Sequence, residues 1–135
     1  MDIPLFQNIC TMNKWKIKHV DDDRVLHVIL KEYVLLKRSD SKLLSLTETL
    51  ADNEDADVFI VNEQFISKED ISKLRKNKSK EMILLRQSSL KSLTSNQEHD
   101  LILTKGKDSV IKIEEVITEA IYRISKRLRL ISKAC

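Results

Sequence analysis

Three consecutive carboxylates, Asp21-Asp22-Asp23, are the densest run of oxygen donors in the chain. Such a turn can hold a cation, or it can cap a following helix and stay solvated, and the residues alone leave both open. Lys105 stands after the apolar run 101–103 and immediately before Gly106. A lysine at the end of a strand is in most proteins a surface residue. His19 and His27 have no further ligand at a fitting spacing and read as structural or exposed, and His99 has no partner. Cys10 and Cys135 lie near opposite ends. They give neither a metal spacing nor a disulfide framework and read as free thiols in a reduced, cytoplasmic setting. There is no HExxH, no Ser/His/Asp or Cys/His set, and a single glycine rules out a Gly-rich phosphate loop. An enzyme is therefore the disfavoured reading.

Composition is that of a globular chain. Hydrophobic residues make up 41% and charged residues 33% of 135 residues, enough to bury one core. No apolar run approaches the ~20 residues needed to span a bilayer, and the N-terminus lacks the basic and apolar regions of a signal peptide. The net charge of +3 does not by itself argue for nucleic acid. The bases Arg123, Lys126, Arg127, Arg129 and Lys133 form either a solvated helix face or a surface for an acidic partner or phosphates. No helix-turn-helix accompanies them, and aromatics are only 4%. With one Gly and one Pro, turns are expected to rely on Asn, Asp and Ser, which tolerate left-handed backbone better than most.

The elements that must position these groups alternate along the chain. After a tail over 1–14, the alternating segment 16–20 predicts a strand ending at Asp21. Apolar positions from Val25 to Leu36 at helical spacing predict a helix over Arg24–Lys37, capped by Asp22 or Asp23. A weaker strand is expected at 43–46, followed by a short acidic helix or loop through Asp55. The continuous apolar runs 58–61, 82–85 and 101–103 predict strands covered on both faces. A short helix is expected after Ser67 with Ile71 and Leu74 inward, another could lie within 88–97, and a long one over 109–133 is capped by Asp108 or Ser109. This order predicts one α/β domain over 15–135, a five-stranded parallel sheet with helices on both faces and an extended basic C-terminal helix.

The segment 16–26, in which Val20-Asp21-Asp22 ends a strand and a helix follows directly, resembles the first strand and acidic turn of response-regulator receiver domains. Asp57-Val58-Phe59-Ile60-Val61-Asn62 is similar to that family's third strand, and Leu103-Thr104-Lys105 to the end of its fifth. The resemblance covers roughly residues 15 to 125 and implies a flavodoxin-like, receiver-like fold. It implies that Asp21 and Asp22 are the acid pair that holds Mg²⁺ at the carboxyl ends of the strands. Lys105 would be the lysine that bridges the phosphoryl group and the acids, and position 62 would be the phosphoacceptor.

The departures matter as much as the matches. Asn62 carries a neutral amide where a carboxylate would have to attack phosphorus, so it cannot form a stable acyl phosphate. Glu63 should point to the opposite side of the strand, and Asp57 lies roughly 16 Å back at strand rise. Arg86 stands where receivers carry a hydroxyl, Ile102 replaces the switch aromatic, and Gly106 replaces the proline after the lysine. Arg86 and Lys105 could satisfy Asp21 and Asp22 directly, in place of a cation. No cofactor is expected beyond weak Mg²⁺ binding. The resemblance thus implies a pseudo-receiver that signals by contact with a protein partner or a second copy. The contact face would be built from 88–97 and 108–129 and include Ile102, Lys112, Arg123, Lys126, Arg127 and Arg129. The alternative is a nucleic-acid-binding regulator using the basic C-terminal helix; a membrane partner is not expected.

Overall fold

A computed structural model describes residues 14–51, 55–87 and 99–129. The elements are β1 (Trp15–Val20), α1 (Arg24–Lys37), β2 (Ser41–Leu43), β3 (Val58–Asn62), a 3-10 turn (Glu63–Phe65), α2 (Lys68–Lys76), β4 (Glu81–Gln87), β5 (Leu101–Lys105) and α3 (Val110–Arg129). The five strands form one sheet in the order β2-β1-β3-β4-β5, and every pairing is parallel. This is a flavodoxin-like α/β fold.

Strand period two divides the core into two layers. Ile17, Val58, Ile60, Ile83, Leu85 and Leu103 face α1 and α3, which bring Leu30, Tyr33, Ile117 and Ile124 to them. Val20, Phe59, Val61, Met82 and Leu84 face the other way, where α2 inserts Ile71 and Leu74. All five residues of β3 are buried, as its unbroken apolar run requires for the central strand. Helices therefore cover both faces.

Local chemistry sets the boundaries. Asp23 caps α1 by accepting the Leu26 amide, and Ser67 caps α2 by accepting the Asp70 amide. Ser109 accepts from the Lys112 amide at the start of α3. The single glycine occupies the one positive φ among the described residues, 83° at Gly106, in the turn from β5 to α3. The expectation of left-handed Asn, Asp or Ser turns is not met there, because those residues act through side-chain hydrogen bonds instead. Asn77, for example, stays extended at φ −84° and ψ 111° while its Oδ1 accepts the Ser79 amide and hydroxyl.

One sequence expectation needs adjustment. The second strand runs at 41–43 rather than 43–46. Of the helix or loop expected beyond it, the described residues form the loop, an extended stretch alongside β1 bridged at Val20 and Thr47. The helix expected within 88–97, Cys10 and Cys135, and Lys133 lie outside the described residues.

Candidate functional site

Three strands deliver side chains to one point at their carboxyl ends. Asp21 follows β1 directly, Asn62 ends β3 and Lys105 ends β5. Each continues the parity of the α1/α3-facing rows, Ile17–His19, Val58–Ile60 and Leu101–Leu103, so all three emerge on the same side of the sheet. Asp21 is fully buried. Its Oδ1 accepts from the Asp22 amide at 2.9 Å and from Asn62 Nδ2 at 3.0 Å. Its Oδ2 accepts from Lys105 Nζ at 2.6 Å and from His19 Nε2 at 3.1 Å. Burial alone would raise the Asp21 carboxyl, but the hydrogen bonds from His19, Lys105 and Asn62 and the Lys105 charge outweigh it. They hold it far below its ordinary 3.8.

Asn62 is committed at both ends of its amide. Oδ1 accepts the Gln64 amide at 3.0 Å, which starts the 3-10 turn, and Nδ2 donates to Asp21. An aspartate could do the first but not the second. The amide is therefore matched to an ionised neighbour that needs a donor.

The residues do not fit a divalent cation at Asp21. A carboxylate offers about four lone-pair directions, and four donors already occupy them. The ammonium of Lys105 lies where a cation would have to sit. It also approaches Asp23 Oδ2 at 3.4 Å, while Asp23 Oδ1 caps α1.

Two residues expected in this cluster are elsewhere. Asp22 is exposed, and only its backbone amide takes part. Arg86 shares its parity with Met82 and Leu84, emerges on the opposite side, and meets Glu63 Oε2 at 3.1 Å. Of the two cations expected there, Lys105 reaches Asp21 and Arg86 does not, and the second acid of Lys105 is Asp23 rather than Asp22. Glu63 pairs with Arg86 on the side opposite the Asp21 cluster; the strand ends at Asn62, so the 3-10 turn and not continued strand alternation places it.

The expected partner face is likewise divided. Ile102 packs with the α2-side core, across the sheet from α3. Arg123 bonds Glu119 at 2.9 Å and the His99 carbonyl at 2.7 Å, and Arg127 meets Glu81 at 2.8 Å. These guanidinium groups close the amino ends of the strands and are only partly exposed. Lys112 and Lys126 are exposed, and Arg129 ends the described part of α3.

A histidine pair was missed. His19, fully buried on β1, and His27 on α1 approach with Nδ1 atoms 3.1 Å apart. Their ring planes are 9° apart and their centroids 5.3 Å apart. The centroids are further apart than the nitrogens by about two ring radii, so the rings meet edge to edge through a hydrogen bond rather than stacking. The signal was present in the sequence. His19 lies two residues before Asp21 on one strand, and His27 lies one turn beyond the Asp23 cap.

No family model matches the chain, and neither a curated protein nor a solved structure matches it. Among the described residues, no helix is long and apolar enough to cross a membrane.

Proposed function

We propose that this chain is a phosphorylation-independent, receiver-like regulatory module that acts by protein–protein contact. The observation that carries the reading is the saturation of Asp21: the Asn62 amide and the Lys105 ammonium occupy the positions where a receiver would need a nucleophile and a metal. The order of chemistry-bearing strand ends resembles that of receivers, and the carboxyl-end placement suits it. A site held closed by its own lysine has no step for phosphate to drive. Information would pass through surfaces instead. The outward stripe of α3 suits this role, with Ile111 at 69% and Tyr122 at 51% exposure and Lys126 on the same face.

The test uses Mg²⁺ with a small phosphoryl donor, and separately Mg²⁺ with beryllofluoride, followed by intact mass and by the fluorescence of Trp15. The expected result is no stoichiometric mass gain and no saturable fluorescence change. A covalent phosphate on any residue, Asp23 included, overturns the reading.

A further inference from the structure

Beside the Asp21 cluster, α1 and the extended segment 43–48 enclose a groove of about 600 Å³. That volume is in the range of small-molecule pockets, which pair apolar walls with a few convergent polar groups. The apolar wall here is Val28 with Leu43, Leu44 and Leu46. Arg24, His27 and Lys31 fall at i, i+3 and i+7 on α1 and so present one stripe to it. Asp22 and Glu48 also line the groove. Arg24 and Lys31 make no ion pair among the described residues, nor do Asp22 and Glu48.

The hydrogen-bond chain determines what His27 offers. Asp21 is ionised and can only accept, so His19 Nε2 donates to it. When both rings are neutral, His19 Nδ1 is then the acceptor and His27 Nδ1 donates to it. His27 Nε2, which points away from His19, is left as a bare lone pair. The two cations of the groove balance its two free acids, so it is neutral until that lone pair takes up a proton.

We propose that this groove binds a small carboxylate with an apolar body together with one proton, taken from solvent by His27 Nε2. The apolar part lies on Val28 and the leucines, and the carboxylate lies between Lys31, Arg24 and the new Nε2–H. The titratable and charged groups facing His27 are His19 and Lys18 from β1, Arg24 and Lys31 from its own helix, and Asp21, Asp22 and Glu48 across the groove. Burial, then His19, Lys31 and Lys18, hold His27 below its ordinary 6.5, so it is neutral at pH 7 and free to take up the proton when an anion arrives.

The probe is benzoate, titrated into the full chain while amide and imidazole nitrogen resonances are recorded. Saturable shifts at residues 24–31 and 43–48 are expected, with His27 Nε2 changing from a lone-pair to an N–H signature. Above the His27 pKa the apparent Kd rises about tenfold per pH unit, because each binding event takes up one proton. Lys31→Gln weakens binding several-fold, and His27→Gln abolishes the pH dependence. Acetate, without the apolar body, binds more weakly. Saturable binding with no pH dependence, shifts reproduced by sodium chloride, or no saturation by roughly 10 mM overturns the proposal. If His27→Gln does not fold, the pH dependence of the unsubstituted protein and the Lys31→Gln result decide alone. The inference does not depend on the contact reading, since phosphoryl transfer to this chain would leave the benzoate result unchanged.

Discussion

At the scale of single residues, the contrast between Asp21 and its neighbours Asp22 and Asp23 carries most of the chemistry. A buried carboxylate is tolerable only when its acceptor directions are filled, and removing one partner of a buried ion pair leaves an uncompensated charge. Lys105→Met should therefore cost about 3–5 kcal/mol, read as a lower urea midpoint at unchanged m-value. Asn62→Asp replaces the donor facing Asp21 with a like charge at a 3.0 Å contact. A loss of about 1–3 kcal/mol is expected, and Mg²⁺, inert on the unsubstituted protein, should restore part of it. The pH dependence has two windows. The folded-state pKa of His27 is depressed, so its contribution is present above the ordinary 6.5 and declines as pH falls below it. Asp21 is also depressed, so its larger contribution holds above 3.8 and is lost below it. Urea midpoints against pH should show a shallow step and then a steep one. His27→Gln should remove only the first.

The elements show how local rules fix boundaries and how contacts across the fold then use them. Asp23 both caps α1 and touches Lys105, whereas Ser67 only caps α2. Each alanine substitution should cost about 1 kcal/mol, with Asp23→Ala the larger of the two, measured by chemical denaturation. At the turn from β5 to α3, Gly106→Ala forces a β-carbon into the left-handed region and should cost roughly 1–2 kcal/mol. It should also displace Lys105, which lies one residue earlier. The helical periods, the caps and four of the five strands were legible because they depend on residues within a few positions of each other. The shortest strand was placed two residues late, because its pairing with β1 at Trp15–Ser41 rests on a partner distant in sequence.

For the whole molecule, the distribution of charge matters more than its net value. Much of the basic character of α3 is turned inward: Arg123 and Arg127 tie the helix to Glu81 at the amino end of β4, where Arg75 of α2 also joins Asp100 at 2.7 Å. A nucleic-acid surface built on this helix lacks two of the cations it would need. Binding to duplex DNA, followed by fluorescence anisotropy, should be weak and show a shallow salt slope, since few phosphates can be neutralised. Conversely, Ile111→Ser with Tyr122→Ser should leave stability within about 0.5 kcal/mol, because both side chains are largely exposed. The same pair of changes should abolish any salt-insensitive self-association seen by light scattering.

The division between what was readable and what was not follows sequence distance. Periodicity within 24–37, 58–62 and 110–129 determined the helices and the central strand. The parity of Asp21, Asn62 and Lys105 on their strands was also implicit in the chain. Strand order and register decided the rest: that Lys105 reaches Asp21, that Arg86 emerges on the far face beside Glu63, and that His27 closes a hydrogen-bond chain through His19. A side chain's face follows from its own strand, but its partner is set by which strands lie adjacent and how far each slides along the next.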